Sequence, residues 1–318
     1  MCQPFAMAKA ASDTLKLRRL LGEIPPTRFT IAGSTPLTTD RPGMRATRLD
    51  LLTGGSQPVR AFLTGPNGPW SHHPAVVYCH AHGARYDIGA DELISGRAAL
   101  QSPPYGEALA QSGIVALCID LPCFGERAGE RESALSKALL WQGKTLFGAM
   151  LADLTGAIGL LQGIDGIDPE RIGVMGMSMG ATLAFWLGAL EPRFKAIAHL
   201  CCCADLGTLV ATGAHELHGH YMTVPGLLTA YRTGQIAGLA APRPQLACVG
   251  LLDPLTPEPA VTLAFGDLRA AYRAAKAPEA FTTEIDPASG HVETPEMRAA
   301  VLRFLENTLV LKPAKEFL

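Results

Sequence analysis

Residues 171–188 read RIGVMGMSMGATLAFWLG and contain a Gly-x-Ser-x-Gly pentapeptide centred on Ser178. The residues before the pentapeptide form a short apolar run typical of a strand, and those after it have the composition of a helix. A serine at such a strand–turn–helix junction is typical of a nucleophile elbow, which presents the hydroxyl above the edge of a sheet. Glycines on both sides of the serine remove side chains that would clash in the sharp turn. The pattern predicts a nucleophilic serine, against the alternative of an ordinary N-cap serine.

Composition limits the classes of protein to consider. The chain has 318 residues, 48% of them hydrophobic, and a formal net charge of −2. This is enough for one large α/β domain or two smaller ones. No basic stripe or polybasic run is present, so neither nucleic acid nor an anionic membrane surface is an expected partner. The segment 1–11 lacks the pattern of a signal peptide, and every apolar stretch is interrupted before 18 residues.

The eight cysteines favour a reducing compartment. They include no C-x-x-C pair with metal spacing, and a chain of this size needs no disulfides to be stable. We therefore expect free thiols and a cytoplasmic location. The run Cys201-Cys202-Cys203 is either a reactive cluster or part of the core. Core packing is favoured, because alternate residues at a strand end point to opposite faces and buried cysteine behaves as a small hydrophobe.

Strand-like and helix-like segments alternate along most of the chain. An antiparallel hairpin is predicted from Met44–Leu52 and Val59–Leu63 around Gly54-Gly55. The strands predicted after it are 75–79, 114–119, 172–175, 196–202, 246–251 and 280–285, and the predicted helices are 12–21, one ending near 113, 138–161 and 297–308. The alternation predicts a mostly parallel sheet with helices on both faces. Ligands of such sheets bind beyond the carboxyl ends of the strands.

The predicted domain organisation has one main unit. Residues 1–40 are poorly patterned and are interpreted as an N-terminal extension, and residues 41–318 as a single α/β domain. Residues 203–241, approximately, lie between two predicted strands and are too many for a plain crossover connection. We interpret this insertion as a lid or cap over the site.

Two further residues complete a catalytic triad in the chain order serine, acid, histidine. A serine hydroxyl needs a general base, and the base needs an acid to orient it. Asp253 follows the predicted strand 246–251, and His291 follows the predicted strand 280–285. Asp205 and Asp286 are alternative acids, which we rank lower; Asp286 lies on the same loop as the histidine, where its approach to the imidazole is awkward. The other interpretations are a turn-capping aspartate and a surface-loop histidine.

Two backbone N–H groups are candidates for an oxyanion hole. The first is that of Met179, directly after the serine. The second belongs to the loop after the strand 75–79, which reads HAHGARYD from His80 to Asp87. We place the donor at Ala84, with Gly83 or Arg85 as near alternatives. Two such preorganised donors are worth several kcal/mol to a tetrahedral intermediate.

With these residues in view, the chain resembles the α/β-hydrolase fold family. It is most similar to the dienelactone-hydrolase-like group, near its acetyl-xylan-esterase-like serine members. The resemblance covers roughly residues 75–305 and rests on His82-Gly83, the segments 120–127, 168–173 and 241–244, the Gly-x-Ser-x-Gly elbow, Asp253 and His291. True dienelactone hydrolases resemble this outline but use a cysteine nucleophile, whereas this chain has Ser178. The difference argues against dienelactone as the substrate.

Several polar residues near the predicted site have two interpretations. Gly83, Arg85, His218 and Tyr221 are candidates for contacts with substrate. The histidines at 215, 218 and 220, and those at 80 and 82, resemble metal-ligand spacing. No carboxylate set accompanies them and a serine triad needs no metal, so pocket lining is favoured and no metal or cofactor is expected. The glutamate at 126 and the arginines at 85 and 127 either contact a polar substrate or form surface ion pairs.

The sequence thus predicts a serine hydrolase of carboxylic esters, with small or short acyl groups, and a small-molecule ester as its partner. A peptidase or amidase, or an acyltransferase, with the same triad is the alternative enzyme. The non-enzymatic alternative is a hydrolase-fold protein that only binds a small ligand. The complete order of serine, acid and histidine disfavours this alternative. The acyl group, the alcohol and the oligomeric state stay open.

Overall fold

The computed structural model describes residues 3–54 and 58–310, with side chains from residue 11 onward. Residues 1 and 2 lie outside the described residues, and so Cys2 does as well. The turn residue Gly55 also lies outside them. Within them, strands β1 to β9 are Thr30–Leu37, Met44–Leu52, Val59–Pro66, His73–Cys79, Val115–Ile119, Ile167–Met177, Ala196–Leu200, Gln245–Gly250 and Phe281–Asp286. Helices α1 to α10 are Gln3–Leu20, Glu92–Ser95, Tyr105–Gln111, Glu132–Trp141, Leu146–Gln162, Met179–Leu190, Leu206–Thr212, Thr233–Gly238, Glu258–Ala274 and Pro295–Leu305.

All nine described strands form one sheet in the order β1-β2-β3-β5-β4-β6-β7-β8-β9. The first three strands and β5 pair antiparallel, and β5, β4 and β6 to β9 run parallel to one another. The predicted hairpin, the mostly parallel sheet and the α/β-hydrolase fold class are confirmed. The core strands are buried on both faces, as expected for a sheet covered by helices on each side.

The segment predicted as one helix over 138–161 forms two helices, so that prediction is wrong. Helix α4 ends at Trp141 and α5 begins at Leu146, and the two are bent by 97°. Gly143 takes a positive φ of 70°, which ends the first helix. Thr145 then caps the second, because its side chain accepts a hydrogen bond from the Gly148 N–H at 2.9 Å. The periodicity is continuous across the break, and so it hides the break.

Strand β1 is the described strand that the sequence pattern failed to indicate, and helix α9 was not predicted either. The residues of β1 are mostly exposed, and Gly33 and Pro36 interrupt the alternation of apolar and polar side chains. It pairs antiparallel with β2, so part of the predicted extension joins the edge of the sheet. The division of the chain at residue 40 stays a prediction.

The insertion between β7 and β8 consists of short pieces. It holds α7, α8 and three short 3₁₀ turns at Ala214–Leu217, His220–Met222 and Leu227–Thr229. Buried side chains of this segment, among them Leu209, Leu227 and Ile236, belong to the same hydrophobic core as the neighbouring helices. Its role as a lid stays a prediction.

A helix that spans a membrane needs about 20 predominantly apolar residues. Among the described residues, no single helix is long and apolar enough to cross a bilayer; α4 and α5 meet the requirement only when taken together as a bent pair.

Close packing of α6 on β4 positions the elbow. A Cβ atom built on Gly176 would lie 2.5 Å from the Cys79 carbonyl oxygen, and one built on Gly180 would overlap that oxygen. Both glycines are therefore required by backbone contact. The strand β4 and the first turn of α6 approach each other so closely that the carboxyl end of β4 lies beside the serine.

We expect Gly180→Ala to lower the free energy of unfolding by about 3 kcal/mol or more, because backbone would have to move to make room. Gly266→Ala is the matched control: Gly266 lies in α9, and a Cβ atom added to it would meet nothing within 4 Å. That change should raise stability by about 0.5–1 kcal/mol through helix propensity. Guanidinium unfolding of both variants is the measurement, and equal stability of the two would contradict the packing argument.

Candidate active site

Ser178 lies at the turn between β6 and α6 in a strained backbone conformation. Its φ is 57° and its ψ is −120°, a region that residues with side chains rarely adopt. The Ser178 N–H donates to the Leu200 carbonyl oxygen at 2.9 Å, which ties the turn to the end of β7. The side chain is half-buried. This is the geometry that the pentapeptide predicts for a nucleophile elbow.

Asp253 and His291 form a partly buried hydrogen-bonded pair near the same sheet edge. His291 Nδ1 lies 2.6 Å from Asp253 Oδ2, and the aspartate side chain is fully buried. The aspartate also accepts hydrogen bonds from the Leu255 N–H at 2.9 Å and the Thr256 hydroxyl at 3.0 Å. Because Nδ1 donates to the carboxylate, Nε2 is the basic nitrogen of the imidazole.

A short chain of contacts connects the elbow to the histidine loop. Leu200 accepts from the serine N–H, and the next residue, Cys201, places its Sγ 3.6 Å from the Val292 carbonyl oxygen. Val292 follows His291 directly. The loop also packs on Gly250, where a Cβ would lie 2.5 Å from the Gly290 carbonyl oxygen. The ends of β6, β7 and β8 thus hold the histidine loop near the serine.

The two alternative acids have other partners. The Asp205 side chain caps α7 by accepting from the Thr208 N–H at 2.9 Å. The Asp286 side chain accepts from the Ala288 N–H at 2.8 Å within its own turn. The structure brings Asp253, rather than either of these, into hydrogen-bond contact with the imidazole.

The two predicted oxyanion donors differ in their surroundings. Met179 is buried and opens α6, so its N–H is among the N-terminal amides that have no partner within the helix. Ala84 is exposed, has a φ of 53°, and its N–H donates to His82 Nδ1 at 3.0 Å. Gly83 is also exposed and lies against Arg97. A Cβ atom built on Gly83 would be 2.5 Å from Arg97 Nη1. Arg85 forms an exposed pair with Asp87 at 2.7 Å.

A buried clamp that the sequence pattern does not indicate fixes the start of this loop. The Ala81 N–H donates to Glu92 Oε2 at 3.1 Å, and Arg97 donates to the carbonyl oxygens of Ala81 and His82 at 2.9 and 3.1 Å. Arg97 and Glu92 are themselves 2.5 Å apart. Burial raises the pKa of the Glu92 carboxyl, against the opposing effect of Arg97. Nothing local in the sequence marks this pair.

The two cap residues predicted to contact substrate are both anchored by hydrogen bonds. His218 is half-buried, and its Nε2 lies 2.9 Å from the Leu255 carbonyl oxygen. Burial lowers the pKa of His218. Tyr221 is buried, its hydroxyl is hydrogen-bonded to Thr182, and burial raises its pKa. Thr182 lies one helical turn after Ser178, and its own hydroxyl donates to Cys202 Sγ at 3.0 Å.

A cavity of about 30 Å³ lies between the first turns of α6, the end of β7 and the cap. That volume corresponds to roughly one water molecule. Its walls are mainly apolar, with a few polar or thiol side chains; they include Phe147, Thr182, Trp186, Cys202, His218 and Met222. Thr182, one helical turn after Ser178, forms part of its wall, whereas Ser178, Asp253 and His291 are not among the residues that line it.

The histidines of the two clusters have different partners. His215 lies 3.1 Å from Glu216, while His220 is exposed. His80 is buried, which lowers its pKa to about 4, and its Nε2 accepts from the Leu121 N–H at 3.3 Å. Across the described part of the chain, no group of three histidine, cysteine or acidic side chains has the arrangement of a metal site.

Comparisons with known proteins place this geometry in a family. The model of the prolyl oligopeptidase family matches residues 144–310. The candidate hydrolase YtaP of Bacillus subtilis (strain 168) is 36% identical over 294 residues, which cover 92% of this chain and 98% of that protein.

Solved structures share the fold. The acetyl xylan esterase of Paenibacillus sp. R4 superposes with a TM-score of 0.64 at 17% identity, over 93% of each chain. The glucuronoyl esterase of Solibacter usitatus superposes with a TM-score of 0.67 at 13% identity, over 93% of this chain and 91% of that one. At this level of identity the likeness shows the α/β-hydrolase fold alone.

The described cysteines are all free and buried. Burial raises the pKa of the Cys202 and Cys123 thiols to about 11, and raises those of the other five further. Thiolate is the reactive form, so these side chains are suited to packing rather than to nucleophilic chemistry.

We expect iodoacetamide at about pH 7.5 to leave these seven cysteines unmodified in the native protein and to alkylate all of them after unfolding in guanidinium. Peptide mass spectrometry distinguishes the positions. Cys202 is the informative one, because it lines the cavity. Rapid native alkylation there would show that the thiol is accessible and ionised, contrary to its burial.

Proposed function

Because the chain belongs to the prolyl oligopeptidase family of α/β-hydrolase-fold proteins, we propose that it is a serine hydrolase that cleaves carboxylic esters with short acyl groups. One observation carries the proposal: Ser178 occupies a strained elbow, and His291, which lies 2.6 Å from Asp253, is on a loop that β7 holds to that elbow. Strain of this kind is retained where the surrounding structure enforces it, as at catalytic sites.

In the proposed mechanism Ser178 attacks the acyl carbon of the ester. His291 Nε2 takes the hydroxyl proton and returns it to the leaving alcohol. Asp253 holds the imidazole in the tautomer with a proton on Nδ1 and stabilises the imidazolium. Water then attacks the acyl-enzyme, again with His291 as base and then acid, and the free serine is restored.

The tetrahedral intermediates need donors for their oxyanion. We propose the N–H groups of Met179 and Ala84 for this role. The first is supported by its place at the start of α6. The second requires that the Ala84 N–H move from His82 Nδ1 to the developing oxyanion, which as a charged acceptor forms the stronger hydrogen bond.

The size of the cavity supports a short acyl group. A space of about 30 Å³ accommodates little more than a methyl group, so acetyl esters fit better than long-chain esters. We propose that the segment 203–241 acts as the cap over this space, with His218 and Tyr221 facing substrate. Gly83 and Arg85 are proposed to contact the alcohol side, since both are exposed. A cytoplasmic location is proposed from the free cysteines.

A peptidase or amidase activity is the second candidate, and the match to the prolyl oligopeptidase family model favours it. An amide needs fuller protonation of its leaving group than an ester does, but it uses the same triad. An acyltransferase differs in that an alcohol replaces water as the second nucleophile. A protein that only binds a ligand is the non-enzymatic candidate.

Hydrolysis of p-nitrophenyl esters from acetate to decanoate is expected to be fastest for acetate and to fall with chain length. Ser178→Ala should reduce turnover by at least about 10⁴-fold without changing thermal stability by more than a degree or two, since the nucleophile is removed and little packing is lost. The matched control is Ser112→Ala, a serine at the end of α3. Undiminished turnover in Ser178→Ala would rule out the mechanism.

The remaining outcomes separate the rival functions. Labelling of Ser178 by a fluorophosphonate without turnover of any ester, but with cleavage of alanine p-nitroanilide, would favour the peptidase. Fast transfer of the acetyl group to an added alcohol in place of water would favour the acyltransferase. Absence of both turnover and labelling would favour the binding protein.

Enlarging the cavity should shift the preference for the acyl chain. Met222→Ala removes a flexible wall of the cavity, and we expect the ratio of kcat/KM for butyrate to that for acetate to rise roughly tenfold. Leu228→Ala is the matched control, because this exposed cap residue does not line the cavity. Equal ratios in the two variants would show that the acyl group binds elsewhere.

A further inference from the structure

Glu132, at the start of α4, is a buried carboxylate that the proposed mechanism does not use. Its side chain is 3% exposed and accepts three hydrogen bonds from three separate residues of the chain. His82 Nε2 lies 2.9 Å and the Tyr86 hydroxyl 2.8 Å from Oε2, and the Tyr221 N–H donates to Oε1 at 2.6 Å. The first two donors belong to the proposed oxyanion loop and the third to the cap.

The carboxylate is held in its charged form. Burial acts to raise the pKa of Glu132, but the hydrogen bonds from His82 and Tyr86 outweigh it, and the pKa lies below its ordinary value. A charged oxygen removed from water is stable only while its donors remain in place. Glu132 therefore holds all three donors to one geometry.

His82 transmits this constraint to Ala84. Its Nε2 donates to Glu132, so the neutral ring has its acceptor at Nδ1, and that atom receives the Ala84 N–H at 3.0 Å. One tautomer satisfies both contacts. The ring is also enclosed by Tyr86, Phe124 and Tyr221, with centroids 5.1, 5.2 and 5.8 Å away. These contacts thus fix the position of the ring and select one tautomer.

The cap is fastened at the same point. A Cβ on Gly219 would lie 2.7 Å from His82 Nε2 and 2.8 Å from Glu132 Oε1, so the cap backbone packs directly on the pair. Tyr221, two residues on, reaches Thr182 with its hydroxyl. The cap and the loop therefore share one anchor beside the first turn of α6.

We propose that Glu132 is a positioning residue of the esterase site. Through His82 it sets the direction of the Ala84 N–H, and through the Tyr221 N–H it keeps the cap in register with that loop. This inference rests on the proposed function. The Ala84 N–H stays directed by His82 Nδ1 until the stronger acceptor, the oxyanion, forms in its reach.

Glu132→Gln is the test, because it has the same shape but cannot accept all three hydrogen bonds. An amide has one oxygen, so its NH₂ group must face either the Tyr221 N–H or the pair of donors at Oε2. We expect kcat for p-nitrophenyl acetate to fall about 10- to 100-fold, with KM changing less than about threefold. The inhibition constant of a boronic acid, which mimics the tetrahedral intermediate, should rise in the same proportion as kcat falls.

Two controls separate positioning from stability. Rates are divided by the concentration of active sites, which is titrated with a fluorophosphonate. Unfolded protein, which is not labelled, therefore does not lower the kcat that is obtained. Glu191→Gln removes a buried carboxylate paired with Arg193 after the far end of α6, and it should leave kcat unchanged. A fall in melting temperature without a change in kcat per titrated site in Glu132→Gln would overturn the proposal.

A double-mutant cycle tests the route through His82. If Glu132 acts on Ala84 through this ring, adding Glu132→Gln to His82→Asn should cost less than about threefold further in kcat. If the fold-loss of kcat in the double variant equals the product of the fold-losses in the two single variants, the proposal is overturned. If Glu132→Gln does not fold, His82→Asn alone must show the same kcat-specific loss, and unchanged kcat there would overturn it. A wild-type protein without Ser178-dependent ester turnover would instead refute the proposed function itself.

Discussion

The contact between the backbone of β4 and the first turn of α6 constrains the whole site. Gly176 and Gly180 lie against the Cys79 carbonyl oxygen with no space for a side chain. Because the two elements meet there, the turn between β6 and α6 is forced into the conformation with positive φ at Ser178. The same contact places the loop that follows β4 beside the serine. The elbow and the proposed oxyanion loop are therefore consequences of one packing interaction.

Features that depend on local sequence were predictable, and features that depend on distant partners were not. Most strands are visible in the sequence as apolar runs. In a parallel sheet, polar residues directly after the strand ends mark the edge where ligands bind, and this rule singles out Ser178, Asp253 and His291. The partners of Glu132 include residues 50 and 89 positions away in sequence. In sequence it is only a glutamate that opens a helix, a position where acidic residues are common for electrostatic reasons. The break at Gly143 is hidden because apolar periodicity continues through it.

The cap segment depends on a few polar anchors more than on regular structure. Its pieces are short, and isolated short helices are unstable in water, so tertiary contacts must hold them. The Tyr221 N–H donates to Glu132, and His218 contacts the Leu255 carbonyl oxygen; these contacts hold the segment to α4 and to the loop that carries Asp253. His218 itself and Met222, the neighbour of Tyr221, line the narrow cavity. The width of this cavity, which we propose as the acyl site, therefore depends on the same contacts that hold the cap.

The Asp253–His291 and Glu132–His82 pairs share one chemistry and differ in which nitrogen meets the carboxylate. Asp253 contacts Nδ1, which leaves Nε2 as the basic nitrogen and the proposed acceptor of the serine proton. Glu132 takes Nε2, and the Ala84 N–H occupies Nδ1, so the His82 ring has both nitrogens engaged and is unsuited to proton transfer. An imidazole with both nitrogens engaged holds neighbouring groups in place, whereas one with a free basic nitrogen can accept a proton. The hydrogen-bond partners, rather than the residue type, thus suit the two histidines to the different roles that we propose for them.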